Sequence, residues 1–283
     1  MSRAGPPVSA SRLTSLILDV MNHLFLSLLA ILCVAPLVHM VAVSLSGRSA
    51  AAGGLVTFWP IRFTTASYRA VLTARAFWDA FAISVKRTFL GTVLNMVLTV
   101  LTAYPLSKTA QEFKGRKLFM WIVLFAMLFS GGLIPWFLVI RSLRMLNTLW
   151  ALIIPDALPL WNLILLMNFF REVPRELDEA AMLDGASHWQ RLEHVYLPFS
   201  PGVLATLTLF CAVNHWNAWF DGMVLMWDAT KYPLQTFVRA AGMQGGRAQN
   251  AARIAIATLP ILVIYPFLQR YFVAGISLGA VKG

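Results

Sequence analysis

Uncharged apolar runs, each near the ~20 residues a helix needs to cross the hydrocarbon of a bilayer, recur along this chain. Residues 118–140 and 199–220 contain no Asp, Glu, Lys or Arg, and residues 16–45 contain none after Asp19. Three further segments come close. Residues 78–106 carry Lys86 and Arg87 near their start, and 145–170 carry Asp156 between Pro155 and Pro159. Residues 254–273 are interrupted by Pro260, Pro266 and Arg270. A soluble fold needs a polar shell, yet charged residues make up only 12% of the chain, about half of the ~25% usual in globular domains. With a mean hydropathy of +0.70, the bilayer is the expected solvent. The pattern predicts an all-α membrane protein with six transmembrane helices. Long cations near a helix end snorkel to the headgroups, and Lys86 and Arg87 are expected to do so.

The net charge of +11 raises nucleic acid as a partner. The Lys and Arg residues are scattered between apolar segments, with no basic stripe alternating with aromatics, so contact with membrane lipid is expected and no nucleic acid. Cys33 and Cys211 each lie inside an apolar run and read as small buried residues rather than a disulfide or metal site. No G-x-x-x-x-G-K-[ST] and no H-E-x-x-H occurs, and the five histidines have no metal-ligand spacing. The chain is therefore expected to hold no metal, no cofactor and no catalytic residue, and not to bind ATP itself. Residues 1–15 are small and polar, and the run behind them is too long for a signal-peptide core, so it reads as a retained span. Six spans put both termini on one side. Basic residues divide almost evenly between the two sides, so charge bias is nearly silent. Four of them in "SKTAQEFKGRK" (107–117) lean towards the cytoplasm. Arg48, Arg62, Arg69, Arg75, Lys86 and Arg87, on the other side, would suit an acidic sugar or an acidic binding protein.

Half of the chain's 12 acids, from Glu172 to Glu193, gather in one block. Pro174 suits a first helical turn, and Glu176, Asp178 and Glu179 follow where acids favour the positive end of the dipole. Leu177, Ala180 and Ala181 share a face. Gly185 reads as a C-cap, and Ser187 with Gln190 as a capping box that opens a second short helix. Trp189, Leu192 and Val195 or Tyr196 form that helix's apolar face, and His188 reads as a surface residue. Leu197-Pro198 closes it. A solvated loop whose acids cap helices and a docking surface with a rigid glycine corner both fit these residues.

The spacing Glu179-Ala180-Ala181, Gly185, Val195, Leu197-Pro198 resembles the EAA loop of binding-protein-dependent ABC importer permeases. The stretch "NTLWALIIPDALPLWNLILLMNFFREVPRELDEAAMLDGA" and "HWNAWFD" look like sugar-importer permeases of the maltose-permease type. "KYPLQTFVR" and "LQRYFVAGISLGAVKG" resemble the second permease of complex-carbohydrate or oligosaccharide uptake systems. The resemblance implies the type I ABC importer permease fold in the cell (inner) membrane. It implies a cytoplasmic segment 1–15, a permease domain 16–273 with its coupling loop at 171–198, and a cytoplasmic tail 274–283. It further implies that Glu179, Ala180, Ala181, Asp184, Gly185, Val195, Leu197 and Pro198 dock an ATPase. The implied partners are a homologous permease, two ATPase subunits that bind ATP and Mg, and an external solute-binding protein carrying a carbohydrate.

Asn214, His215 and Asn217 cost several kcal/mol if they face lipid unpaired, so they are expected to face the bundle interior. Helical spacing puts Asn214, Asn217 and Asp221 on one side, with Trp216 and Trp219 close by. These residues, together with Asn162, are candidates for a sugar path. Hydrogen bonding between helices with an aromatic belt is the competing reading. Ser130-Gly131-Gly132 is expected to allow close helix packing, and Asp156 to pair with Arg141 or Arg144. An ion-coupled secondary transporter is the alternative function; it would favour an intramembrane carboxylate and internal repeats. Only Asp156 offers itself, and no repeat is visible.

Overall fold

A computed structural model describes the backbone of residues 8–242 and 245–280, and the side chains of residues 15–242 and 245–264. No strand occurs among the described residues, and the chain forms two compact units. The first contains the described residues up to Thr73 together with Gly245–Ile256. Its long helix α1 (Val8–Ser44) leaves Leu16, Leu24, Phe25 and Leu32 uncovered, as a lipid-facing helix does. The short helices α2 (Arg48–Ala52) and α3 (Ala66–Leu72) follow. The core here is built of small side chains, among them Ala42, Ala50, Ala51, Ala248 and Ala251. Ser46 ties the turn after α1: its hydroxyl donates to the Ala42 carbonyl and accepts from the Ile61 N–H.

The second unit is organised on α4 (Arg75–Ser107), a continuous helix of 33 residues. Next come α5 (Arg116–Leu128), α6 (Leu133–Ser142), two 3-10 turns over Leu149–Leu152 and Ile154–Asp156, and α7 (Leu160–Arg171). Then follow α8 (Arg175–Leu183), α9 (His188–Arg191), a π turn over Leu192–Tyr196, α10 (Leu197–Phe199), α11 (Pro201–Asn217), α12 (Phe220–Leu225) and α13 (Leu234–Gly242). α14 (Arg247–Ala280) begins in the first unit and continues in the second. α4 packs against α7 and α11. Gly91 permits the second contact, because a Cβ there would fall 2.4 Å from the His215 ring.

Among the described residues α1 and α4 are long and apolar enough to cross a membrane, and five crossings result if each of three bent helix pairs counts as one. The segment expected at 254–273 lies partly outside the residues whose side chains are described, as do Arg270 and the tail 274–283. The expected third span is broken: α5 and α6 meet at 118°. Gly132 causes the break. Its φ of +82° and ψ of 176° lie in a region open essentially to glycine alone. The expectation of close helix packing at this glycine is corrected, since a Cβ there would meet nothing within 4 Å.

Candidate functional site

Two polar assemblies stand out, one towards each end of α4. The first begins with a stripe: Ser84, Arg87, Gly91 and Asn95 recur at helical spacing on one face of α4 and are all buried. The Ser84 hydroxyl accepts from the Leu234 N–H. Arg87 is 1% exposed. Its Nη1 donates to Asp221 Oδ1 (3.2 Å) and to the Ala218 carbonyl (3.3 Å), and its Nη2 donates to Asp221 Oδ2. The expectation that Arg87 snorkels is therefore corrected. Removal of a cation this far from solvent is offset only by a carboxylate and a carbonyl in fork geometry, which Asp221 and Ala218 supply. Lys86, one position earlier, is exposed. Asn95 spans two neighbours, donating to the Asp156 carbonyl (3.1 Å) while its Oδ1 lies 3.1 Å from His215 Nε2.

Beside this stripe lies a cavity of about 980 Å³. α11 ends at Asn217, and the bend at Ala218 and Trp219 turns the chain into α12. The bend brings Asn214, Asn217, Trp219 and Asp221 to one wall; Ser130–Gly132, Trp136 and Asp156 complete it. The grouping of Asn214, Asn217 and Asp221 thus occurs: helical spacing in α11 pairs the two asparagines, and the helix break adds Asp221. Trp216 and Asn162 do not line the cavity. The Trp216 indole is buried and donates to the Ala257 carbonyl, and the Asn162 amide donates to Cys211 Sγ. Asp156 does not pair with Arg141 or Arg144, contrary to expectation; it is exposed and lines the cavity.

The second assembly is the helix corner. Asp184 caps the end of α8, and Gly185 adopts φ +77°. The Ala186 N–H reaches the Ala181 carbonyl and the Gly185 N–H the Met182 carbonyl, both bonds of a Schellman stop. Ser187 and Gln190 form the complete capping box two residues later. Pro198 offers no N–H to the His194 carbonyl and crowds it, and the chain widens into the π turn there. Val195 and Leu197 pack on the core of the unit, while Glu179, Ala180, Asp184 and Pro198 are exposed and Ala181 is half-covered.

Asp178 anchors the corner. Its carboxylate accepts from Lys108 Nζ (2.6 Å) and Arg191 Nη1 (3.3 Å). Lys108, just past the end of α4, also donates to the Tyr196 hydroxyl (2.6 Å) and sits over the Tyr104 and Tyr196 rings. Burial lowers the Lys108 pKa and the Asp178 carboxylate pulls it back only in part; burial also raises the Tyr196 phenol. The usual polarity is inverted. Lys108 and Arg191 are buried, whereas Leu177, Met182, Leu183 and Trp189 are exposed, Leu183 at 87%. Sequence reading placed Asp178 only as a helix-dipole acid. Of its two cations Arg191 lies 13 residues away and Lys108 70, and no helical spacing links either to it.

An apolar helical bundle with a cavity lined by a few polar side chains and an exposed helix corner fits the membrane permease class. Protein LplC of Bacillus subtilis (strain 168) is 39% identical over 94% of this chain and 95% of its own. The polygalacturonan/rhamnogalacturonan transport system permease protein YtcP of the same strain is 36% identical over 94% and 98%. The crystal structure of a bacterial ABC transporter involved in the import of the acidic polysaccharide alginate contains a chain 30% identical to this one. It matches with a TM-score of 0.83 over 95% of this chain and 100% of that one. No family model matches the sequence. The chain belongs to the permease subunits of sugar ABC transporters.

Proposed function

We propose that this chain forms one half of the transmembrane path of an ATP-driven importer for an oligosaccharide, with a homologous permease as the other half. In this reading the chain crosses the membrane six times, with both termini, the coupling loop 171–198 and the tail 274–283 in the cytoplasm. Two ATPase subunits bind ATP and Mg, and an external binding protein delivers the sugar. The observation that carries the reading is the inverted polarity of the α8–α9 corner. Leu177, Met182, Leu183 and Trp189 leave apolar side chains exposed on a segment tied from within by Asp178. Such a surface marks a protein contact. In the coupling-loop reading its occupant is the cleft of the ATPase, whose closure moves the loop and turns the cavity outward. Glu179, Ala180, Ala181, Asp184 and Gly185 would touch the motor. Val195, Leu197 and Pro198 would join the corner to α11.

The test separates this from ion-coupled transport. The complex, reconstituted in vesicles with its binding protein outside, should take up sugar only with ATP inside and should tolerate a proton or sodium ionophore. Uptake that an ionophore abolishes while ATP is present overturns the reading.

A further inference from the structure

The cavity wall has a one-sided charge. Asp156 and Asp221 are the only charged side chains that line it among the described residues. Asp221 is neutralised, since the buried Arg87 guanidinium takes both of its oxygens. Asp156 has no such contact partner, although the Arg87 guanidinium also acts on it from a distance. No hydrogen bond or ion pair engages its carboxylate among the described residues, and Asn95 holds only its backbone carbonyl. Arg141 and Arg144 do not line the cavity. Arg239 lies 4.5 Å over the Trp219 ring but is likewise not part of the wall. Counted with the buried Arg87 behind it, the wall therefore carries one net negative charge, and no cation lines it.

Around Asp156 the wall supplies what a sugar hydroxyl needs. A carboxylate accepts two O–H donors at once, as adjacent hydroxyls of a pyranose present them, and these bonds are charge-assisted. The Asn214 and Asn217 amides add donors and acceptors. Trp136 and Trp219 add apolar faces for the C–H side of a ring. A uronate carboxylate brought to the same place meets a like charge with no cation in the wall to offset it, and exclusion of this kind sets specificity.

We infer that the wall contributed by this chain is a subsite that holds a sugar ring by its hydroxyls and turns away its carboxylate, with Asp156 deciding between them. The inference rests on the importer reading. Any cation that an acidic cargo requires must come from outside this wall.

The complete importer in vesicles provides the test, with a panel of short uronate oligomers and their neutral methyl esters. For each pair, the KM for sugar-stimulated ATP hydrolysis is measured as a ratio of acid to ester. The binding protein is the same throughout, so its own preference cancels when variants are compared. Asp156→Asn should lower the acid-to-ester ratio about tenfold, as loss of one nearby like charge does. Asn214→Asp, which adds a charge to the same wall, should raise it by a similar factor. Ratios within twofold of the unchanged protein in both variants overturn the subsite. If Asp156→Asn does not assemble, Asn214→Asp decides alone. A wild-type complex that answers to no member of the panel overturns the subsite as a device that sorts uronates from their esters.

Discussion

At the scale of single residues, the Arg87–Asp221 pair governs the cavity wall. The two side chains are 2% and 14% exposed, and a charge left alone at such a site costs about 3–5 kcal/mol. Arg87→Met should therefore destabilise the purified complex by about that amount, because Asp221 loses the cation that offsets its burial. The double change Arg87→Met with Asp221→Leu should recover most of the loss, since apolar side chains of similar volume replace a buried pair at little cost. Thermal unfolding in detergent reads both. A double variant no more stable than Arg87→Met would mean that the pair is not what holds this wall. The residues of the wall were partly legible beforehand. Asn214, Asn217 and Asp221 announced themselves as polar groups at the end of an apolar run. Arg87 did not, because its partner lies 134 positions on and a cation near the start of a span fits snorkelling equally well. Trp216 shows the converse: proximity in sequence to a polar wall does not decide which way an indole points.

At the scale of elements, the α8–α9 corner is built from local signals, and these were readable. Gly185 as a stop, the Ser187–Gln190 box and the Leu197-Pro198 exit all act within a few residues of themselves. The break between α5 and α6 was not readable, because an apolar run looks the same whether its helix continues or turns. Only the conformation of Gly132 distinguishes the two. The corner also yields a prediction. Gly185 holds φ +77° with nothing within 4 Å of an added Cβ, so a side chain meets backbone strain of roughly 1 kcal/mol or more rather than a clash. Gly185→Val should leave the chain in the membrane with its partner permease, but the ATPase should bind weakly or hydrolyse ATP without moving sugar. Glu179→Lys, at an exposed position of the same helix, should give a milder defect of the same kind. A pull-down of the ATPase beside an uptake assay checks both. Normal uptake by Gly185→Val with the ATPase fully bound removes the coupling assignment.

At the scale of the whole molecule, α4 joins the two assemblies. Arg87, well inside its first half, and Lys108, just past its end, are buried cations, each paired with a carboxylate from a distant segment. The helical rise over the residues between them is about 30 Å, close to the ~30 Å of a bilayer's hydrocarbon. A helix of that span separates the Asp221 pair at the cavity from the Asp178 anchor at the corner, and under the importer reading the two lie towards opposite membrane faces. Charge bias could not assign those faces, since basic residues divide evenly between them; the α8–α9 corner assigns them if it docks a cytoplasmic motor. The prediction uses one exposed position at each end, Ser187 on the corner and Ala229 in the turn after α12. The exposed Cys33 and the buried Cys211 are first replaced by Ala. In that background, Ala229→Cys should react with a membrane-impermeant maleimide in intact spheroplasts. Ser187→Cys should react only in inverted vesicles. Two sites that label from the same side would break the link between α4 and the membrane normal. Labelling of Ser187→Cys in spheroplasts with Ala229→Cys silent would place the corner outside, where no ATPase could reach it.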